Sequence, residues 1–163
     1  MISIRIATSD DFDLVAAFIR KLAEYEKLAH EVRFDDATLH HHLFGERPAA
    51  EVLIGEIDGA PAGFALFFQT FSTFEGKPGI WLEDLFVEPH ARGSGLGRAL
   101  LSRLAALVIE RGGARLEWNV LDWNELGKGF YRSIGAAHVD GWERWRMQDD
   151  ALTGLAAGSE NGS

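Results

Sequence analysis

Residues 80–98 read IWLEDLFVEPHARGSGLGR, a candidate buried strand followed by a glycine-rich turn and the start of a helix. The run from Ile80 to Val87 is almost continuously apolar, the pattern of a strand covered on both faces of a sheet. From Leu96 to about Arg111 the apolar residues recur at helical spacing. We therefore predict a central strand, a tight turn and an amphipathic helix in succession.

The flanking sequence supplies the other elements of a mixed sheet. Branched and aromatic residues predict strands over residues 2–6, 51–57, 62–71, 114–120 and 141–147, with Asp58-Gly59 as a hairpin turn. Apolar spacing and capping residues predict helices from Phe12 to about Lys27, from Asp35 to Leu43 and from Asn124 to Ile134. This order of elements is typical of an α/β fold with a mixed central sheet and helices on both faces.

Length, charge and cysteine content limit the classes of function. With 163 residues and 47% hydrophobic composition we expect one domain over residues 1–152 and a disordered tail over 153–163. The net charge of −9 opposes binding to nucleic acid or to anionic membranes and favours small cationic substrates. The chain has no cysteine, signal-peptide pattern or membrane-spanning apolar run, so we expect a cytoplasmic protein without disulfides.

The glycine-rich turn has the composition of a phosphate-binding loop. Glycines allow positive φ angles and close backbone approach, so several N–H groups can converge on an anion at a helix start. Other phosphate and catalytic motifs fail on residue identity. A dinucleotide fingerprint needs a small residue where Arg98 stands, a P-loop needs Lys-Ser/Thr after Gly97, and a serine-hydrolase elbow needs glycine at Arg92.

The turn resembles the Arg/Gln-x-x-Gly-x-Gly/Ala signature of the GNAT acetyltransferases, here Arg92-Gly93-Ser94-Gly95-Leu96-Gly97. The motifs LAEYEKL, WLEDLFV, RGSGLGRALLSRL and LEWNVLDWNELGKGFYRSIGA extend the resemblance to the spermidine/spermine and thialysine acetyltransferase group, over about residues 3–148. The resemblance implies a GNAT fold, in which the strands 80–87 and 114–120 run parallel and splay apart. Acetyl-coenzyme A would lie in that cleft.

The same resemblance assigns contacts to the coenzyme. Its pyrophosphate would meet the amides of Gly93 to Arg98, and the side chains of Arg92 and Arg98 can add positive charge there. Its pantetheine would pair with the main chain of Leu85, Phe86 and Val87 like an added strand. Asn124 would contact the coenzyme arm. Members of the group are commonly homodimers, so the resemblance implies that this chain also forms a homodimer.

Two acids, Glu83 and Asp84, interrupt the buried strand. A protonated amine cannot attack a thioester, so the reaction needs a base, and a desolvated carboxylate can accept the proton directly or through water. Adjacent strand residues point to opposite faces, so only one acid faces the cleft unless a bulge intervenes. The resemblance favours Glu83 as base or water holder, with Asp84 near the substrate. The alternative is that both acids form structural ion pairs or cap the backbone.

Two tyrosines complete the candidate site. Tyr131 lies in GFYRSIGA, which resembles the family's FY-x-x-x-GA segment, whose tyrosine is the proposed general acid and lies against the coenzyme. The alternative for Tyr131 is core packing. Tyr25 and Glu26, in LAEYEKL, correspond to residues that line the amine site of the polyamine group. Their alternative is a solvated acidic helix face. Phe74 stands where the polyamine enzymes tend to carry tryptophan.

These residues favour transfer of acetyl from acetyl-coenzyme A to a primary amine of a small diamine, polyamine or lysine-like substrate, by direct attack in a ternary complex. Two alternatives remain: a related enzyme that acetylates a protein N-terminus, a protein lysine or an antibiotic amine, and a non-catalytic acyl-coenzyme A-binding module. We expect no metal site, because the successive residues His40, His41 and His42 would point about 100° apart on a helix.

Overall fold

Five strands form one mixed sheet in the computed structural model, which describes residues 1–160. They are β1 (Ile2–Ile6), β2 (Glu51–Ile57), β3 (Ala60–Ser72), β4 (Lys77–Val87) and β5 (Arg115–Trp118), and they lie side by side in that order. The pairs from β1 to β4 are antiparallel, whereas β4 and β5 are parallel. This arrangement confirms the predicted α/β class with a mixed sheet.

The α-helices are α1 (Phe12–Tyr25), α2 (Asp36–Phe44), α3 (Leu96–Glu110), α4 (Glu125–Ser133) and α5 (Asp149–Glu160). A single 3-10 turn, Pro89–Ala91, lies between β4 and the glycine-rich turn. The chain divides into two compact units: Met1–Leu121 holds the sheet and α1 to α3, and a second unit that begins at Asp122 holds α4 and α5. The single domain over residues 1–152 stays a prediction.

Helix α1 covers one face of the sheet with its periodic apolar residues. Phe18 is buried and stacks on Phe64 of β3 with 5.4 Å between ring centroids, and it lies tilted against Phe86 of β4 at 5.8 Å. Val15 and Leu22 extend the same core along the helix. Their burial removes a continuous apolar stripe from water, and this fixes the helix over β3 and β4.

Helix α3 covers the opposite face, and two glycines determine where it begins. Gly55 of β2 and Gly63 of β3 lie opposite each other, and a Cβ atom on Gly55 would be 2.7 Å from Cδ1 of Leu96. The missing side chains leave room for Leu96, the first residue of α3, which is fully buried against the sheet. The start of α3, and with it the glycine-rich turn, is therefore held by direct contact with two strands.

The β2–β3 hairpin matches its prediction. Asp58 and Gly59 both have positive φ angles, 50° and 81°, as a two-residue type I′ turn requires. Asp35 caps α2 by accepting a hydrogen bond of 2.8 Å from the amide of Thr38, which is also as predicted.

The prediction of a last strand over Gly141–Met147 is wrong. Residues 137–148 form neither helix nor strand, and Trp142 and Trp145 are exposed. These two tryptophans are three residues apart, so they would lie on opposite faces of a strand, and the segment has no consistent apolar face to pack. Helix α5 ends at Glu160, and residues 161–163 lie outside the described part, so the disordered tail over 153–163 stays a prediction. Among residues 1–160, no helix has the length and apolar character needed to cross a bilayer.

Candidate active site

The second half of β4 has a sheet partner on one side only. Its parallel pairing with β5 ends at Leu82 and Trp118, yet β4 continues to Val87. Leu85, Phe86 and Val87 pair with β3 on their other side, and no strand within residues 1–160 pairs with the β5 side of this segment. The two parallel strands therefore part where the acids occur, and main-chain groups along the edge of β4 are available to a ligand.

A β-bulge lies at the two acids. Leu82 pairs with Phe67, and Asp84 pairs with the very next residue of β3, Leu66, so Glu83 has no partner across the ladder. Because adjacent residues of β3 face opposite sides of the sheet, the bulge turns Asp84 to the side of Leu66, which is the side that α1 covers. We expected only one acid to face the cleft unless a bulge intervenes, and β4 has such a bulge.

Glu26, the residue that caps the end of α1, forms a cluster with the two acids of β4. Burial, together with the charge of Glu83, raises the pKa of Glu26. Burial is also the main cause that raises the pKa of Asp84 to about 7, and the charges of Glu83 and Glu26 add to the effect. The three carboxyl groups, here called the acid cluster, therefore repel one another and favour binding of a proton or another cation.

Glu83 is the exposed member of the acid cluster. Its carboxylate accepts a hydrogen bond of 2.9 Å from the indole nitrogen of Trp81, which sets the direction of the side chain. Within residues 1–160, none of the three acids forms an ion pair with a lysine, arginine or histidine. The alternative reading of Glu83 and Asp84 as structural ion pairs therefore has no support in this part of the chain.

The glycine-rich turn directs main-chain donors outward at the start of α3. Gly93 and Gly95 have positive φ angles of 80° and 94°, which glycine adopts without strain. A Cβ on Gly93 would have no atom within 4 Å, so the space beside it is open. In the described part of the chain, four main-chain amides of this turn have no hydrogen-bond acceptor, those of Gly93, Gly95, Gly97 and Arg98. Such a group of unpaired amides at a helix N-terminus suits a diphosphate.

Two contacts that the sequence did not predict join α1 to the segment before the glycine-rich turn. Lys21 forms an ion pair with Glu88. The guanidinium carbon of Arg92 lies 5.0 Å from the ring centroid of Tyr25 and 6.0 Å from that of Phe86. No local sequence signal reveals either contact, because each joins residues that are 67 positions apart in the chain.

The two predicted site residues of the second unit lie at the start and in the last turns of α4. Asn124 caps this helix, since its side-chain oxygen accepts a hydrogen bond of 3.0 Å from the amide of Gly127. Tyr131 is half-buried, and its ring centroid is 5.6 Å from that of Phe130. The coenzyme contact of Asn124 and the acid role of Tyr131 stay predictions.

The histidine run belongs to the packing of α2. The His40 ring lies 5.3 Å from the ring of Phe12 and 5.8 Å from that of Phe44, between centroids. Across residues 1–160, no three histidine, aspartate or glutamate side chains are grouped in a way that could hold a metal ion.

Known proteins resemble this chain over almost its whole length. The model of the acetyltransferase (GNAT) family matches residues 17–136. The thialysine N-epsilon-acetyltransferase of Bos taurus is 34% identical, over 95% of this chain and 97% of its own. The spermidine/spermine N(1)-acetyltransferase-like protein 1 of Homo sapiens is 28% identical, over 94% of this chain and 23% of its own.

A solved structure shows the same similarity in three dimensions. The integron cassette protein VCH_CASS6 from the mobile metagenome of V. cholerae superposes with a TM-score of 0.78 and 28% identity, over 95% of this chain and 97% of that protein. Sequence and structure comparisons therefore agree with the resemblance inferred from the motifs.

Proposed function

Because the chain belongs to the acetyltransferase (GNAT) family and is an N-acetyltransferase, we propose that it moves acetyl from acetyl-coenzyme A to a small amine. The acceptor is a primary amine of a diamine, polyamine or lysine-like molecule. Transfer is direct, within a complex that holds both substrates. The observation that carries the choice of acceptor is the acid cluster, three carboxyl groups without a cationic partner in the described chain, beside the open edge of β4.

The chain's residues fit acetyl-coenzyme A, which when bound would supply the acetyl group as a thioester. The unpaired amides of the glycine-rich turn, those of Gly93, Gly95, Gly97 and Arg98, would hold the diphosphate at the positive end of α3. The free edge of β4 at Leu85, Phe86 and Val87 would pair with the pantetheine amides. Together these contacts would direct the reactive end toward the acids at the bulge.

The acid cluster would bind the ammonium form of the amine. An alkylamine with a pKa of about 10.4 is almost fully protonated at neutral pH and arrives as a cation. Glu26 and Asp84, both partly buried, would gain most from a positive charge, because each is disfavoured as an anion when the site is empty of cations. The ring of Tyr25 already contacts the guanidinium of Arg92, and it would line the amine site beside that contact.

One of the two acids of β4 would then take the proton. Glu83, favoured by the family resemblance, stays a proposed acceptor. A specific observation favours Asp84 instead, since its pKa of about 7 lies near the working pH, where a general base is most effective. In this second assignment Glu83, held by Trp81, keeps the pKa of Asp84 high through its negative charge.

Tyr131 would donate a proton to the departing thiolate. A phenol has a pKa near 10, so it is protonated at neutral pH and can serve as an acid. With a base for the amine and an acid for the thiol, the chain's own side chains would complete the transfer without a metal ion.

A thiol-release assay tests the function directly. The chain would be supplied with acetyl-coenzyme A and a panel of diamines, polyamines, lysine and its thioether analogue, aminoglycosides and peptides. We expect fastest release with a small molecule that carries a second cation, and mass spectrometry should find one acetyl group on its primary amine. Tight acetyl-coenzyme A binding without release from any amine would refute the enzyme and support a non-catalytic module. Preference for a peptide or an aminoglycoside would refute the small-amine assignment.

A further inference from the structure

We infer that Arg92 is a positioning residue for the amine site, because its guanidinium joins the glycine-rich turn to the last turn of α1. The inference rests on the proposed function for the identity of the two sites. It goes beyond that function by giving the first residue of the signature a role toward the amine as well as toward the coenzyme.

The side chain of Arg92 lies back over the end of β4. Its Nε donates a hydrogen bond of 3.2 Å to the carbonyl oxygen of Val87. The guanidinium then covers the ring of Tyr25 at 5.0 Å and approaches the ring of Phe86 at 6.0 Å. Both distances lie within the range of a cation–π contact, and the planar guanidinium is well suited to it. Arg92 is thus engaged with α1 and β4 at once.

A second contact joins the same two segments. Lys21 and Tyr25 are four residues apart and lie on one face of α1. Lys21 forms an ion pair with Glu88, which stands before the 3-10 turn, and Arg92 stands directly after it. Two neighbouring side chains of α1 therefore hold the two ends of one turn, and the register between helix and turn is fixed.

The last turn of a helix is normally the least stable part, since its final carbonyl groups lack partners. Here that turn carries Tyr25, and Glu26 follows it as the cap. A contact from Arg92 at this point determines where the aromatic ring and the Glu26 carboxyl lie relative to Asp84. Arg98 differs, because its exposed side chain makes no ion pair or hydrogen bond within residues 1–160. Its charge is available to an anionic ligand.

Three arginine variants separate these roles. Arg92→Met should raise the KM for the amine by about two- to fivefold, the loss expected for one exposed cation–π contact, and should change the Kd for acetyl-coenzyme A less. Arg98→Met should raise the Kd for acetyl-coenzyme A and change the KM for the amine less. Arg20→Met is the control on the same helix: it removes a cation–π contact, 4.7 Å to the ring of Phe34, and an exposed ion pair with Asp36, and it should change neither constant. Equal effects of Arg92→Met and Arg98→Met on coenzyme affinity, with an unchanged amine KM, would overturn the inference.

A double variant tests whether Arg92 acts through Tyr25. In a Tyr25→Leu background, Arg92→Met should raise the amine KM less than it does alone, because the contact is already lost. Arg92→Lys should raise the amine KM less than Arg92→Met does, since an ammonium keeps part of the cation–π contact but loses the planar guanidinium and the hydrogen bond from Nε to Val87. Fully additive effects, or no rescue by lysine, would count against the link.

Hydrogen exchange gives a readout that needs no substrate. The amides in the last turn of α1 should exchange faster in Arg92→Met than in the wild type or in Arg98→Met. Equal exchange in all three would overturn the inference whatever the kinetics. If the wild type released no thiol with any amine while Arg92→Met still showed faster exchange, the proposed function would fail and the structural link would stand.

Discussion

The carboxyl groups of Asp11 and Asp84 titrate at opposite ends of the acid range because their neighbours differ. Arg5 donates two hydrogen bonds of 2.8 Å to Asp11, and the pKa of Asp11 falls to about 2. Asp84 has burial and two acids around it, and its pKa rises to about 7. Asp11 is therefore a fixed anion of the fold, whereas Asp84 can exchange a proton near neutral pH.

The pH dependence of catalysis distinguishes the two acids of β4. If Asp84 accepts the proton, kcat/KM rises with pH through about 7 as this group ionises. Asp84→Asn should abolish that limb and lower kcat/KM by roughly a hundredfold or more. Glu83→Gln should move the limb to lower pH, because removal of a negative neighbour lowers the pKa of Asp84. A profile between about pH 5 and pH 9 measures both effects.

The opposite pattern would assign the proton to Glu83. In that case Glu83→Gln would lose the limb and Asp84→Asn would keep it. The mechanism through Asp84 would then be wrong, while the function could remain.

Asp84 also predicts an effect on stability. Its pKa is about 7 in the folded chain and 3.8 in the reference state, so folding favours the protonated form. The free energy of unfolding is therefore lowered progressively as pH rises from about 4 to about 7, and the loss is constant above that range. Asp84→Asn should raise the free energy of unfolding by about 1–3 kcal/mol at pH 8 and by less at pH 5, as urea denaturation can measure.

Asp11→Asn is the control with the opposite sign. The pKa of Asp11 is lowered, so its contribution is present above pH 3.8 and lost as pH falls through about 2. This variant should be destabilised equally at pH 5 and pH 8. A pH-independent gain in Asp84→Asn would show that packing, and not charge, explains its effect.

Tyr131→Phe tests the proposed acid. Loss of the hydroxyl should lower kcat by about a hundredfold, since general acid catalysis is typically of this size, and should leave coenzyme affinity almost unchanged. Single-turnover thiol release and a separate binding titration give the two values. Unreduced turnover would remove Tyr131 from the mechanism and favour its packing role.

At the scale of elements, the glycine-rich turn depends on backbone angles that few residues adopt. Gly95 has a φ angle of 94°, and alanine there costs roughly 1–2 kcal/mol of strain. Gly95→Ala should therefore shift the start of α3 and weaken acetyl-coenzyme A binding by about tenfold. Gly59→Ala is a matched control in the β2–β3 turn, with a φ angle of 81° and open space around it. It should lose similar stability and keep coenzyme affinity, as calorimetry can show.

The sequence predicted most elements because each carries its own local pattern. Apolar periodicity marked α1 and α3, and the Asp58-Gly59 pair marked the hairpin. The bulge at Glu83 had no such mark, because it depends on how β4 and β3 align across the ladder. The strand predicted over residues 141–147 failed because its aromatic residues favour a strand although its apolar residues share no single face.

Residue types thus predicted the members of the candidate site, and the structure added their surroundings. Glu26, Glu83 and Asp84 were named from motifs, but their mutual repulsion depends on the contact between the end of α1 and β4. The contacts of Arg92 with Tyr25 and of Lys21 with Glu88 join distant parts of the chain, so they appear only in three dimensions.

At the scale of the whole molecule, the net charge of −9 acts on both substrates with opposite sign. A cationic amine is attracted and the anionic coenzyme is repelled, and added salt screens both effects over about 10 Å at 0.1 M. Raising the salt concentration should therefore increase the KM for a diamine, and it should increase the KM for a monoamine less. The KM for acetyl-coenzyme A should stay the same or fall. Initial rates at several concentrations of sodium chloride measure this. An equal rise for all three would indicate a general salt effect on the enzyme.

The bulge in β4 changes which residues of that strand face each side of the sheet. Side chains alternate between the two faces of the sheet up to Leu82, and from Asp84 onward the alternation is shifted by one residue. Excision of Glu83 alone would close the ladder with β3 and return the repeat to a single phase. Such a shortened chain would keep a regular sheet but only one of the two acids, Asp84. The extra residue of β4 therefore supplies both the bulge and the second carboxyl group.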